Sequence, residues 1–356
     1  MKRIAILAVV MLMAMPMPAL VRASGTTPNA SIRYQQDEAD KIFADGLELF
    51  KANKYAEAAD KFKAYTILRP KEKEGFYNLG LCQINLKKYT EALEPLGTAV
   101  KIGPDYYEAW VQLGNAYDGL KQVPDALNAY EKAIAIDPSK ASAYFEKGVC
   151  LQNEDRFAEA ISCFRTCLEK DPKKASAWVN IGQSQEGLKQ MDSAMESYRK
   201  AIEIDPEYAR PHKELADIFE GKAQYEAAKR EYNAAIKLDP EYASAHLGLG
   251  NVFYNQNDYA GALPHYKRAS ECSPDWATAH LYLADAYYNT SDFDHALVSY
   301  GAALAIDDAL VGALYGAGRT YVKKGSKVRA LESYEKLKKV DEKKAATLKD
   351  LIDKMK

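Results

Sequence analysis

The stretch YEAWVQLGNAYDGLKQVPDALNAYEKAIAIDPSK, residues 107–140, carries two helical patterns in succession. Trp110, Leu113, Gly114 and Tyr117 fall on one face of a first helix, and Ala126, Tyr130 and Ala133 on one face of a second. Pro138 stops the second helix, because the residue before a proline is pushed out of the helical region. The pattern recurs along the chain without insertion: Ala58, Ala92, Ala126, Ala160, Ala194, Ala228, Ala262, Ala296 and Ala330 stand 34 residues apart. A fixed period of this length marks a solenoid, whose units bury their apolar faces only by stacking on one another.

Nine such units run from Ala39 to Lys344, with starts at residues 39, 73, 107, 141, 175, 209, 243, 277 and 311. Close helix crossing explains the small residues Gly46, Gly80, Gly114, Gly148, Gly182, Gly250 and Gly318, which are expected opposite the recurring alanines, with Ala216 and Ala284 in the same place. Phe62, Tyr130, Phe164, Tyr198, Tyr232, Tyr266, Tyr300 and Tyr334 recur at position 24 of their units, with Leu96 standing in once. Most tyrosines are therefore structural. In the ninth unit Lys327 replaces an aromatic or apolar residue, which marks it as the loosest. Beyond it, Ala345, Leu348, Ile352 and Met355 share one face of an expected cap helix over 345–356.

The order Trp110, Leu113-Gly114, Tyr117, Ala126, Tyr130, Pro138 resembles the tetratricopeptide repeat, and the resemblance covers all nine units. It implies an all-α fold, a right-handed superhelical solenoid of nine helix-turn-helix units with a C-terminal cap helix. It also implies a protein or peptide partner, held in a concave groove lined by positions 2, 5, 9 and 12 of each unit.

Outside the repeats, Lys2 and Arg3 precede an apolar run ending in Pro16 and Pro18, with Val21-Arg22-Ala23 at the processing positions. Residues 1–23 read as a secretory signal peptide cut before Ser24, and residues 24–38 as a flexible tether. Export to the periplasm follows, with secretion or retention by the signal as alternatives. Loss of the leader's three basic residues takes the formal charge from -2 to -5, which offers no basic stripe for nucleic acid. A hydrophobic share of 47% with 28% charged residues fits a folded chain.

His212, His246 and His280 recur at the Trp110 position, but equivalent residues one helix diameter apart are too far separated to share a metal, so packing is the expectation. Cys82, Cys150, Cys163, Cys167 and Cys272 are an odd set; a disulfide from Cys150 to Cys163 or Cys167 is left open. No nucleophile elbow, phosphate loop or metalloprotease helix is found, and neither catalysis, a metal nor a cofactor is expected.

Read at the groove positions, the first two units present Phe43, Leu47, Phe50, Tyr77, Leu81 and Ile84, an apolar patch for a partner helix, for the tether or for a second copy of the chain. Units five and six present Glu186, Asp217 and Glu220 with Arg210 and Lys213. Asp217 stands where the chaperone adaptors of the family carry an asparagine that binds a terminal carboxylate, which disfavours that ligand. Units seven and eight present Asn251, Tyr254, Asp285 and Tyr288, with Asn255, Tyr282 and Asn289 at adjoining positions, a composition suited to peptide recognition. The expected function is a non-catalytic scaffold in envelope assembly or export; the alternative is a helper in polysaccharide export with a sugar-contacting groove.

Overall fold

The computed structural model describes residues 30–355, with side chains from Gln36 onward. The expected signal peptide and the first part of the tether lie outside the described residues. Two compact units divide the chain, meeting in sequence at Lys189 and Gln190. The first holds α1 (Ala30–Lys51), α2 (Tyr55–Leu68), α3 (Lys73–Asn85), α4 (Tyr89–Ile102), α5 (Tyr107–Gly119), α6 (Val123–Ile136), α7 (Ala141–Asn153), α8 (Phe157–Lys170) and α9 (Ala175–Gly187). The second holds α10 (Met191–Ile204), α11 (Ala209–Gly221), α12 (Tyr225–Leu238), α13 (Ala243–Asn255), α14 (Tyr259–Cys272), α15 (Ala277–Asn289), α16 (Phe293–Ile306), α17 (Val311–Lys323), α18 (Lys327–Lys338) and α19 (Glu342–Asp353). No strand occurs among the described residues.

Within each unit, odd and even helices pair as antiparallel hairpins, and each even helix packs on the odd helix that follows. Odd helices also approach one another, as α3 does α5 and α11 does α13, so they line the inner side of their unit. All nine recurring alanines are completely buried.

The sequence reading is corrected in three places. Residues 30–38, read as tether, belong to α1: Gln35, Gln36, Glu38 and Ala39 are good helix formers, and a helix already nucleated by packing propagates into them cheaply. The cap helix starts at Glu342 rather than 345, because the Asp341 carboxylate accepts the Lys344 N–H at 2.8 Å and caps it. Gly46, Gly80, Gly114, Gly148 and Gly250 at position 8 face the large residue at position 24 rather than the alanine, while Gly318 faces Leu348. A Cβ on Gly80 would lie 2.4 Å from Leu96, and one on Gly114 2.5 Å from the Tyr130 ring.

Each odd helix that opens a complete hairpin ends with its next-but-one residue in the left-handed region: Asn53, Lys87, Lys121, Asp155, Ala223, Asn257 and Ser291. Paired backbone bonds close the turn, as where the N–H of Lys54 reaches Leu49 and that of Asn53 reaches Phe50. Only the last hairpin uses the unstrained choice, Gly325 at φ 73°. At the other end of a repeat, Asp137, Asp171, Asp205, Asp239 and Asp307 accept the N–H two residues on, fixing the turn around the proline position.

Candidate functional site

The inner face is built from the odd helices, and its floor is set by what lies beneath it. In four repeats the buried tyrosine at position 24 sends its hydroxyl up to position 9: Tyr130 to Asn115 at 2.8 Å, Tyr232 to Asp217 at 2.6 Å, Tyr266 to Asn251 at 2.9 Å and Tyr300 to Asp285 at 2.5 Å. A buried phenol needs an acceptor, and the floor residue supplies it. Where position 24 is Phe62, Leu96 or Phe164, position 9 is Leu47, Leu81 or Val149. The polarity of the floor therefore follows from the core residue below.

This pairing gives a direct expectation. Tyr266→Phe leaves Asn251 without its donor and should cost about 1 kcal/mol, whereas Tyr266→Phe with Asn251→Leu, the natural combination of the first repeat, should recover most of it. Denaturant melts of the two single variants and the double variant check this, and strictly additive losses would refute it.

The six residues of the apolar patch expected in the first two repeats are all half-buried, and most of them also pack on the cores of their repeats. Phe43 packs on Phe62 and Tyr65 with ring centres 5.5 and 4.8 Å away, and Phe50 on Tyr55 at 5.2 Å. Leu47 joins the same core, while Tyr77 and Ile84 pack on that of the next repeat. Tyr77 lies 5.0 Å from Tyr106, and burial lifts its hydroxyl to about 12. Leu81 remains half-exposed beside them.

Glu146, which sequence reasoning missed, stands on the inner side of α7. Burial, with Asp118 adding and Lys174 opposing, pushes its carboxyl up to about 7. The folded chain then keeps a proton there that the unfolded chain has lost, so stability falls as pH rises from about 4.5 to about 7. Glu146→Gln should stabilise the protein by about 2 kcal/mol at pH values above that window and leave it unchanged below. Melting both proteins across the range tests it; a gain independent of pH would be the wrong result.

The residues expected in repeats seven and eight are brought together, but as a bonded network rather than as free groups. Asn289 donates to the Tyr254 hydroxyl and to the Asp285 carbonyl, both at 2.8 Å. Asn255 donates to Glu220 at 3.2 Å, the same rung one repeat earlier. Tyr266 lies 5.8 Å from Tyr282 and 6.4 Å from Tyr254, ring centre to ring centre. Tyr288 is covered by Arg319, a residue the sequence reading passed over, which donates to Asp285 at 2.7 Å. Burial raises the Asp285 carboxyl above its ordinary value, against the pull of Tyr300 and Arg319. In repeat six Lys213 reaches Asp217 at 2.6 Å and Glu214 at 3.4 Å, and Arg210 reaches Glu214 at 3.4 Å.

The histidines serve as backbone anchors. His246 and His280 donate through Nε2 to the carbonyls of Pro240 and Pro274 at 3.2 and 3.1 Å, as Trp110 does to Pro104 at 2.9 Å. His212 instead bonds Glu231 at 2.7 Å. Among the described residues no group of three or more His, Cys, Asp or Glu side chains is arranged to hold a metal. All five cysteines are free thiols. Burial pushes Cys82 and Cys150 up to about 12 and Cys167 to about 11, which makes them unreactive.

Family models described as tetratricopeptide repeat match residues 43–107, 107–140, 141–174, 175–208 and 213–277, more than half of the chain. The middle three matches coincide with the repeats read from the sequence. Solved structures share the fold. PilF of Pseudomonas aeruginosa is 20% identical at a TM-score of 0.53, covering 60% of this chain and 98% of that one. The C-terminal part of a repeat protein from Cytophaga hutchinsonii is 17% identical at 0.52, covering 67% and 98%. The Cut9–Hcn1 hetero-tetramer of APC/C gives 14% identity at 0.53, covering 88% and 76%. No curated protein sequence matches the chain.

Proposed function

Because the chain belongs to the tetratricopeptide repeat family, we propose that it is a scaffold that binds protein or peptide partners on the inner face of its odd helices. The observation that carries this reading is the row of Tyr254, Asn289, Asp285 and Tyr288, held in fixed geometry on α13 and α15 by bonds to the repeat below and the repeat beyond. Rigid tyrosines give contact area at small entropic cost, and amide and carboxylate groups beside them can pair with a peptide backbone. Binding is the whole mechanism; no step of covalent chemistry is assigned to the chain.

Affinity capture with the chain from Ser24 onward, cross-linked before washing, tests the reading against Tyr254→Ala/Tyr288→Ala. The partners retained by the native chain should be lost from the variant while its melting profile stays cooperative. Undiminished capture would remove the groove from the account.

The place of action proposed is the cell envelope, supported by the leader-like residues 1–23. Mass spectrometry of the chain purified from its own cells should find Ser24 at the N-terminus, in the envelope fraction. A chain that keeps residues 1–23 and stays with the cytosol would contradict this.

A further inference from the structure

Arg319 shows how this surface holds a cation. Its guanidinium donates to Asp285 at 2.7 Å and to the Tyr300 hydroxyl at 3.3 Å, and its central carbon lies 4.0 Å from the centre of the Tyr288 ring. A carboxylate, a buried phenol and an aromatic face thus grip one basic side chain at the step from repeat eight to repeat nine.

Two repeats earlier the carboxylate and the buried phenol recur, but Glu220 stands where Tyr288 stands and the chain's own arginine is missing. Tyr232 lies 2.6 Å from Asp217 and 2.8 Å from Glu220, as Tyr300 lies against Asp285. Asn251 occupies the position equivalent to Arg319, and it accepts the Tyr266 hydroxyl without supplying charge. Lys213 compensates Asp217. Glu220 shares the single Tyr232 hydroxyl proton with Asp217 and accepts from Asn255; Lys213 acts on it from beyond Asp217, and among the described residues no basic group stands within ion-pairing distance of it. A half-buried carboxylate in that condition gains from any cation that reaches it, and position 12 of the next repeat carries an aromatic residue, Tyr254.

We infer that Glu220 is the landing point for a lysine or arginine side chain of a peptide lying across α11, α13 and α15, with Tyr254 of the next repeat contributing to the same inner face. This deepens the groove reading and rests on it. The occupant is specified by charge: Arg210, Lys213 and Arg319 on this face are already paired with acids, and Glu220 has no ion-pair partner of its own.

Panning a phage-displayed library of random dodecapeptides on the chain from Ser24 onward tests the inference. Lysine and arginine should be enriched in the selected peptides, and a selected peptide should bind Glu220→Gln about tenfold more weakly, the loss of one charge-assisted pair. The same peptide with its basic residue replaced by glutamine should bind both proteins equally. In the isosteric Glu220→Gln the amide oxygen still accepts from Asn255 and the amide N–H can donate to the Tyr232 oxygen, whose proton goes to Asp217, and its melting profile provides the folding control. Selected peptides without basic residues, equal binding of a basic peptide to both proteins, or no selection at all would overturn the inference. In the first two cases, loss of the peptides on Tyr254→Ala/Tyr288→Ala would show that the groove reading survives where the cation site fails.

Discussion

Replacing Leu348 by alanine destabilises the C-terminal end of the protein by about 3 kcal/mol, the cost of removing a large side chain from a packed core with little room to collapse. Leu348 is completely buried, packs with Leu314, Ala330, Leu337, Ala345 and Ile352, and fills the space left by the missing side chain of Gly318. Among the described helices α19 packs on both α18 and α17, so its apolar face closes this end of the core. Repeats are stabilised by their neighbours, and the loss should therefore be local. Amide exchange should accelerate in α17 to α19 and stay nearly unchanged in α11 to α14. Uniform acceleration along the chain, or none, would contradict this picture of the cap.

The second large effect is expected at Gly248, where alanine should cost about 3 kcal/mol through overpacking. A Cβ there would lie 2.3 Å from Cζ of Tyr232 and 2.5 Å from its hydroxyl oxygen. The ring cannot retreat without giving up Asp217 and Glu220, and in this repeat Ala216 takes the place where most repeats have glycine. Gly316 stands in the same relation to Tyr300, following Ala284. The small residue has moved from one repeat to the next, and the ring has moved with it. Gly301 is the control: it is exposed in α16 with nothing within 4 Å of a built Cβ, so Gly301→Ala should stabilise by about 0.5 to 1 kcal/mol through helix propensity alone. Equal melting profiles for the two variants would show that the contact with Tyr232 does not constrain the fold.

Much of this was legible from the residues. The alanines, the tyrosines at position 24 and the prolines report periodicity and size, which act locally and repeat. The individual turn devices were less so, because Lys121, Ala223 or Ser291 in the left-handed region carries no compositional mark; the turn imposes the conformation. The candidate site was legible only as a set of positions. Asn251 and Asp285 read as exposed recognition groups, yet each serves as the acceptor for a buried phenol beneath it. Phe43 and Phe50 read as groove surface, yet both lean back on their own hairpin. Arg319 and Glu146 drew no attention, because their importance lies in what a neighbouring helix places beside them.

The 34-residue period alone was enough to establish nine helical repeats, their hairpin architecture and the family, since a repeat that cannot bury its own face must stack. Which groups on the inner face are free to meet a partner was decided only by tertiary structure. The bonds that decide it run between residues 12 to 35 positions apart, and one cation pairs with Asp285 while none pairs with Glu220. Pairs such as Lys213–Asp217 lie four apart on one helix, but compensation of Asp285 by Arg319 depends on a distance between helices that no pattern within one repeat encodes.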